Sequence, residues 1–340
     1  MDEIFVIAEI GHNHQGSIHI AKKLISEAKL AGANAVKFQK RDNKNLYTKE
    51  FYNSNYDNPN SFGKTYGLHR EALELNKAQY IELIKFSKKI GIELFATPFD
   101  FNSVDFLDEL KVPYYKIASA DLTNIPLQKY IAKKNKPVFL STGGGNINDV
   151  NRAVKNILTF NRKLSVLHCT ASYPAKIQDM NLNVIEQYKK KFPKLRIGLS
   201  DHENGIDAST IAYMLGARVF EKHFTLNRAN KGTDNSFSLE PQGLAKMIRN
   251  LKRVKILLGD KNKKVLKNEL EPLFKMKKSI VIKEKLKKGS IINKKHVTFK
   301  SPGKGLDPYL VKKFIGKKIN CDLNKDDYLF LRHIKNEKKN

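Results

Sequence analysis

The 340-residue sequence contains no tryptophan and only two cysteines, Cys169 and Cys321. Two distant cysteines make neither a disulfide framework nor a CxxC metal pair, so both thiols are expected to stay reduced. No stretch approaches the ~20 apolar residues of a membrane span. The opening MDEIFVIAEIGHNHQG places acids before a short apolar run, which is typical of neither a secretory signal nor a transit peptide. We therefore expect a cytoplasmic protein with no membrane partner.

Acidic residues are scarce, with 34 Asp and Glu against 63 Lys and Arg and a net charge of +29. Residues 251–340 hold 27 basic and 9 acidic residues, which is +18 of that total. Most of these cations are lysines on helix faces and in turns, without the interleaved aromatic residues of a base-stacking surface. We expect a solvated surface and no nucleic-acid partner. A basic protein for RNA or an anionic surface stays an alternative, and its binding would fall steeply with salt.

Short β-rich apolar runs alternate with longer amphipathic segments such as HIAKKLISEAKLAG and NKAQYIELIKFSKKIG. The predicted strands are residues 4–9, 35–39, 93–96, 113–118, 137–141, 164–169, 195–199 and 218–223. Eight strands alternating with helices over about 250 residues predict an α/β fold, a TIM (β/α)8 barrel. A doubly wound sheet is the alternative, but no GxGxxG opens the first helix.

The chain is too long for the barrel alone. We expect residues 1–260 to form the barrel, the lysine-rich residues 261–278 to be a linker, and residues 279–340 to form a small β-rich domain. So short a segment buries little core by itself, which predicts that it docks on another surface.

Polar residues interrupt or end the predicted strands, at the end of a barrel where catalytic groups lie. They are Glu9, Lys37, Gln39, Thr97, Lys116, Ser119, Ser141, His168, His202 and His223. Lys37 and Gln39 are two apart and so point to the same face. Charges that face into a barrel are costly unless a ligand neutralises them. The group therefore predicts a site for a small phosphorylated or carboxylated anion.

Two histidines, His202 and His223, end the seventh and eighth predicted strands, one βα unit apart. Adjacent barrel strands bring such residues close together. Two neutral imidazoles there, beside Asp201 and across from Glu9, favour a shared divalent metal with open positions for water or substrate.

Motifs along essentially the whole chain resemble the sialic acid synthase family, which makes N-acetylneuraminate and related nonulosonic acids. They are AEIGHNHQG, VKFQK, KTYGLHREALEL, ATPFD, YKIASADLTN, STGGG, CTASYPA, GLSDHENG, EKHFTLNRANKGTDNSFSLEP and SPGKGLDP with a later IGKK. The resemblance implies metal-dependent condensation of phosphoenolpyruvate with an N-acetylmannosamine-type sugar. It also implies a TIM barrel followed by an antifreeze-protein-like (SAF) domain, which covers the barrel of a partner chain in a domain-swapped homodimer.

The resemblance also assigns roles to individual residues. His202 and His223 match the family's ligands for Mn²⁺ or Mg²⁺. Tyr173 and Asp234 match sugar-binding positions, and Glu9 matches the acidic residue at the reacting centre. The residues that match phosphoenolpyruvate-binding positions are Lys37, Gln39, Lys116, Ser119 and Ser141, with Thr97 nearby.

Two departures from the family pattern leave the identity of the sugar substrate undecided. Ser301 stands where bacterial members often carry an arginine that grips the acyl group, and STGGG replaces the usual STGM. The acceptor is N-acetylmannosamine, its 6-phosphate, or a 2,4-diacetamido-6-deoxy hexose as in legionaminate- and pseudaminate-type synthases. A barrel aldolase with Lys116 as a Schiff-base lysine is a further alternative.

Overall fold

The computed structural model describes residues 3–334, which separate between Gly259 and Asp260 into two compact units. In the first unit eight parallel strands close into a barrel in chain order, which confirms the predicted TIM barrel. The strands are β1 Phe5–Gly11, β2 Ala35–Lys40, β3 Glu93–Pro98, β4 Tyr115–Ile117, β5 Val138–Ser141, β6 Leu164–Cys169, β7 Arg196–Asp201 and β8 Val219–His223. Pairing of β1 with β8, from Phe5 opposite Val219 to Glu9 opposite His223, completes the ring.

Helices follow the strands and pack outside the barrel. They are α1 Ile18–Ala31, α2 Asn43–Leu46, α3 Lys49–Asn53, α4 Tyr66–Ala72, α5 Lys77–Ile90, α6 Phe101–Glu109, α7 Ile125–Lys133, α8 Ile147–Leu158, α9 Val184–Lys191, α10 Asp207–Met214 and α11 Pro241–Leu258. Short 3-10 turns cover Ser119–Asp121 and Ile177–Asp179. Local sequence sets the ends: the Asn76 and Gln79 side chains form a capping box that starts α5, and Gly91 ends it at φ 74°. No helix in residues 3–334 is long and apolar enough to cross a membrane.

Aromatic side chains fill the amino-terminal end of the barrel. The rings of Phe5 on β1 and Phe139 on β5 stack at 5.7 Å, although these strands are not neighbours, so the contact crosses the interior. Phe95 and Tyr114 complete this aromatic floor with ring separations of 5.5–5.7 Å. Polar strand residues therefore reach free space only at the other end.

The second unit has its own small core. It contains a 3-10 turn at Lys267–Glu269, helix α12 (Leu270–Met276) and an antiparallel pair, β9 Ser279–Ile282 and β10 Val297–Lys300. Three further 3-10 turns cover Lys294–His296, Pro308–Lys313 and Leu331–His333. Its buried apolar side chains are Ile280, Ile282, Leu286, Ile292, Phe314, Ile319, Leu323 and Leu329. Residues 261–278, expected to be a linker, are grouped with this unit and include α12.

Candidate active site at the open end of the barrel

A cavity of about 790 Å³ opens at the carboxyl ends of the barrel strands. Of the twelve site residues predicted from the sequence, all except His168 line it. They are Glu9, Lys37, Gln39, Thr97, Lys116, Ser119, Ser141, Tyr173, His202, His223 and Asp234. The parallel strands end at one rim, so residues far apart in the chain meet there.

Lys37, on β2, lies inside a ring of polar partners. Its Nζ is 2.7 Å from Glu9 Oε2 and donates a hydrogen bond to Thr97 Oγ1 at 2.9 Å. Gln39, on the same face of β2, donates from Nε2 to Glu9 Oε1 at 2.8 Å. Burial is the main cause that raises the pKa of Glu9, with the nearby Glu221 carboxylate adding to it and Lys37 opposing it. Glu9 is therefore a carboxyl held in place from two sides and easier to protonate than usual.

Glu221 is a site residue that the sequence reasoning missed. Its Oε1 is 3.6 Å from Lys116 Nζ and 3.8 Å from Lys37 Nζ, and it accepts a hydrogen bond from Ser200 Oγ at 3.1 Å. Burial opposes ionisation, but the two lysines outweigh it and lower the pKa of Glu221 to about 2. Burial and Lys37 lower the pKa of Lys116, while Glu221 opposes them. Two buried carboxyls with opposite pKa shifts thus share one pair of lysines.

The two histidines lie side by side at the rim, with ring centroids 5.3 Å apart. His202 Nδ1 is 2.9 Å from the Thr170 carbonyl, which can only accept, so Nδ1 carries a proton. Burial lowers the pKa of His202, but Cys169, whose Sγ is 3.8 Å from Nδ1, and the Thr170 carbonyl outweigh burial and raise that pKa. Burial lowers the pKa of His223 to about 3, so its imidazole is neutral. Its buried Nδ1 has no hydrogen-bond partner among the described residues.

His202 and His223 can offer two imidazole nitrogen donors to a divalent metal. Residues 3–334 contain no group of three or more His, Cys, Asp or Glu side chains arranged to hold an ion. A metal held by His202 and His223 would therefore complete its coordination with oxygen atoms of substrate or water.

The rim beside the two histidines carries an aromatic ring and a carboxylate. The Tyr173 ring packs on His202 with centroids 4.3 Å apart and lies 5.6 Å from Phe237. Asp234 Oδ2 is 3.8 Å from His223 Nδ1, and its Oδ1 accepts a hydrogen bond from Thr233. These groups offer one flat apolar face and one acceptor to a ligand at the mouth.

The STGGG segment follows β5 at the cavity wall. The backbone N–H of Gly143 donates to Ser119 Oγ at 3.0 Å. A Cβ at this position would lie 2.8 Å from Ala171 Cβ, closer than side-chain carbons approach, so glycine is required for this contact. Ser141 Oγ, at the end of β5, has no hydrogen-bond partner among the described residues and is available to a ligand.

Two arginines missed by the sequence reasoning also line the cavity. Arg41 NH1 lies 3.0 Å from His12 Nε2, and Arg70 NH1 lies 3.2 Å from the other ring nitrogen of the same histidine. Arg41 also donates to Gln39 Oε1 at 2.7 Å and stacks on Phe99 at 3.8 Å. The only sequence signal for Arg41 is its spacing, two residues after Gln39 on the same alternation.

Two expectations about strand ends were wrong. His168 is buried away from the cavity, where its Nε2 lies 2.7 Å from the Met180 carbonyl, because Cys169 is the β6 residue that faces inward. Asp201 does not join the histidines either. It forms a buried ion pair of 2.6 Å with Lys222, which alternates with the inward-facing Glu221 and so faces outward.

Comparison with known proteins gives consistent results. The NeuB family profile matches residues 24–263. Human N-acetylneuraminate-9-phosphate synthase is 38% identical over 336 residues, covering 98% of this chain and 94% of that protein. The N,N'-diacetyllegionaminic acid synthase of Campylobacter jejuni is 37% identical over 334 residues, covering 97% and 99%. The crystal structure of N-acetylneuraminic acid synthetase from Leptospira borgpetersenii superposes with a TM-score of 0.69 at 33% identity, covering 79% of this chain and 90% of that one.

Proposed function

The chain belongs to the NeuB family, and from that premise we propose that it condenses phosphoenolpyruvate with an N-acetylmannosamine-type hexosamine to give a nonulosonic acid and phosphate. One observation carries the proposal: two buried lysines, two carboxyls with opposite pKa shifts and two adjacent histidines converge on one cavity. The lysines suit the anionic substrate, and the remaining groups suit carbon–carbon bond formation.

Phosphoenolpyruvate binds at the inner end of the cavity in this proposal. Lys37 and Lys116 neutralise its phosphate and carboxylate, while the hydroxyls of Ser119, Ser141 and Thr97 offer hydrogen bonds. Without the substrate, Glu9 and Glu221 are the only carboxyls within 4 Å of these two lysines in residues 3–334. The ligand therefore shares these two lysines with the carboxylates of Glu9 and Glu221.

The reaction forms a carbon–carbon bond and a bond from C2 to a water oxygen, and it breaks the bond from C2 to the phosphate ester oxygen. The methylene carbon of phosphoenolpyruvate bonds to the aldehyde carbon of the open-chain sugar, whose oxygen takes up a proton. Water then adds at the cationic C2, and phosphate leaves with the former enol oxygen. Glu9, fixed by Gln39 and Lys37 and with its pKa raised, is placed to stabilise the cation or to orient and deprotonate the water.

We propose that His202 and His223 hold a divalent metal, Mn²⁺ or Mg²⁺, which when bound supplies polarisation of the aldehyde oxygen. The backbone carbonyl of Thr170 keeps His202 in the tautomer that presents Nε2. Tyr173 packs against His202 and, with Asp234, would position the sugar.

A product assay tests the function. The full-length protein is incubated with Mn²⁺, phosphoenolpyruvate carrying ¹⁸O in the C2–O–P bridge, and each candidate hexosamine. We expect one 2-keto-3-deoxy acid and one phosphate per phosphoenolpyruvate, with the label in phosphate. Label retained in the acid would contradict the proposed bond cleavage. A pyruvate adduct of the protein trapped by borohydride would instead indicate the Schiff-base aldolase at Lys116.

We further propose that the protein works in the cytoplasm as a domain-swapped homodimer. In this proposal residues 1–260 are the barrel, 261–278 a linker and 279–340 an SAF-type domain that covers the partner's active site. Ser301 then stands where an arginine would grip the acyl group, and Lys278 Nζ is its hydrogen-bond donor at 2.7 Å. The family resemblance and the separation of the second unit at Asp260 support the proposal.

Complementation between two defective chains tests this arrangement. A chain truncated after residue 262 has a barrel and no covering domain, and full-length His202→Ala has the reverse defect. Each alone should be nearly inactive, and a mixture under subunit exchange should regain activity. If the truncated chain shows a native circular dichroism spectrum and no mixture is active, the swapped dimer is wrong. Sedimentation of the full-length chain as a monomer would be a second contradiction.

A further inference from the structure

A cationic cluster at the cavity has no task in the reaction described above. The arginine cluster is defined here as Arg41 and Arg70, which line the cavity, together with His12, which lies between them. Burial, then the charges of Arg41 and Arg70, lower the pKa of His12 well below its usual range, so the imidazole is neutral. A neutral imidazole has one lone pair and one N–H. In one of the two contacts an arginine N–H therefore faces the imidazole N–H, so that contact is not a hydrogen bond.

The arginine cluster has many more donors than acceptors. Each guanidinium carries five N–H groups. Besides the single imidazole lone pair, the side-chain acceptors within hydrogen-bond distance in residues 3–334 are Gln39 Oε1 for Arg41 and the Tyr66 hydroxyl for Arg70. A ligand with several acceptor oxygens would satisfy the surplus.

The charges around the two arginines also indicate an anionic ligand. Neither Arg41 nor Arg70 forms a salt bridge with a carboxylate in residues 3–334, whereas Lys37 and Lys116 both have one. Arg41 is only 7% exposed, and burial, then the charge of Arg70, lower its pKa. Its stacking on Phe99 fixes the guanidinium plane. Glu74 acts on Arg41 and Asp234 acts on Arg70 only from beyond salt-bridge distance. A bidentate oxyanion would therefore compensate two neighbouring cations at the cavity wall directly.

The position of the arginine cluster relates it to the sugar. Gln39 contacts both regions, since Nε2 donates to Glu9 and Oε1 accepts from Arg41. The aldehyde carbon must meet phosphoenolpyruvate beside Glu9, Lys37 and the histidines. We place the end of the sugar chain remote from the aldehyde toward the arginines, because Gln39 connects them to the reacting centre.

We propose that the arginine cluster binds a phosphate monoester on the sugar, at the carbon farthest from the aldehyde, so that this chain uses N-acetylmannosamine 6-phosphate. This inference rests on the proposed function and names the substrate within it. Arg41 and Arg70 are specificity residues, and His12 positions both. A free sugar or a 6-deoxy diacetamido sugar leaves the donor surplus and the paired charges unsatisfied.

The test compares three acceptors on the unmodified full-length protein with saturating phosphoenolpyruvate and Mn²⁺: N-acetylmannosamine, its 6-phosphate and a 2,4-diacetamido-6-deoxy hexose. We expect kcat/KM for the phosphorylated sugar to exceed the others by about 100-fold or more, because each charge-assisted contact is worth about tenfold or more. Arg70→Gln and Arg41→Gln should lose most of this preference through KM for the sugar, while KM for phosphoenolpyruvate changes by less than about threefold. Arg70→Lys should keep part of it. The control is Arg249→Gln, an exposed arginine of α11.

Binding without turnover gives a second measurement. The phosphorus resonance of N-acetylmannosamine 6-phosphate should broaden with the wild-type protein in the absence of phosphoenolpyruvate, and much less with Arg70→Gln. Equal use of the free or 6-deoxy sugar by the wild type overturns the inference and leaves the proposed function standing. No product from any sugar overturns both. A phosphate preference unchanged in both glutamine variants shows that another site recognises the group, which also overturns the inference.

Discussion

The buried Asp201–Lys222 pair leads to a quantitative prediction about stability. The two side chains are each 1% exposed, 2.6 Å apart, and adjacent in sequence to the two histidines of the site. Lys222→Met removes one partner and leaves a carboxylate in the layer between barrel and helices. Breaking a buried pair in this way costs about 3–5 kcal/mol of unfolding free energy. At about 2–4 °C per kcal/mol for a unit of this size, the Tm should fall by roughly 10 °C.

A double variant separates lost charge pairing from lost packing. In Asp201→Asn/Lys222→Met no charge remains, and the asparagine can still accept from the Glu203 backbone N–H, as Asp201 Oδ1 does at 2.8 Å. We expect this variant to be more stable than Lys222→Met alone by about 1–3 kcal/mol, because it removes the uncompensated charge.

The assay is thermal unfolding by circular dichroism at neutral pH, with urea midpoints as a second measure. The control is Lys77→Met, which removes an exposed ion pair with Glu109 and should change stability by less than about 1 kcal/mol. Equal destabilisation by the single and double variants would refute the reasoning, since the cost would then come from packing of the lysine stem.

Three further predictions concern the site and its pH dependence. Lys37→Met should raise KM for phosphoenolpyruvate about 10- to 100-fold, because it loses one charge-assisted contact of ~1.5–3 kcal/mol. KM for the sugar should rise much less. Equal effects on both constants would show that Lys37 does not bind the phosphoenolpyruvate anion. EDTA should abolish activity, and full activity after chelation would contradict the proposed metal requirement. His202→Ala or His223→Ala should weaken Mn²⁺ binding measured by calorimetry and leave the circular dichroism spectrum unchanged. The folded-state pKa of His14 is lowered by burial to about 4 from 6.5, so the unfolded chain binds a proton that the folded chain does not. Stability should therefore fall by up to ~1.4 kcal/mol per pH unit from this residue as pH drops from about 6.5 towards 4, and urea midpoints that stay flat between pH 7 and 5 would contradict this.

The sequence predicted the strands well because each is a compact apolar run bounded by polar turns. Every predicted strand overlaps an observed one, and the ends differ by at most two residues. The site residues at strand ends were found for the same reason, since parallel strands of a barrel share one catalytic rim. Eleven of the twelve predicted residues line the cavity, and their individual roles stay predictions.

The direction of side chains was harder to predict than strand position. Barrel strands are buried on both faces, so alternation shows which residues share a face but not which face points inward. His168 was placed in the site for that reason, although Cys169 takes the inward position. Glu221 was missed, yet it alternates with His223 and could have been found from that spacing.

Residues on the loops were beyond the reach of periodicity. Arg70 is on α4, thirty residues after β2, and it meets His12 only because the chain folds α4 back over the rim. Nothing in the local sequence encodes that return. A cation cluster built from a strand end, a loop and a remote helix is visible only in three dimensions.

Because aromatic side chains close the amino-terminal end of the barrel, substrates and products must enter and leave the cavity through the same opening. Phe5, Phe95, Tyr114 and Phe139 close the far end, so a molecule that lies deep leaves only after whatever lies above it has gone. With Lys37 and Lys116 below and Arg41 and Arg70 toward the mouth, phosphoenolpyruvate would have to arrive before the sugar. A sugar that binds first would block access of phosphoenolpyruvate to the inner end of the cavity. Excess sugar should therefore inhibit the reaction by forming a dead-end complex, competitively with phosphoenolpyruvate.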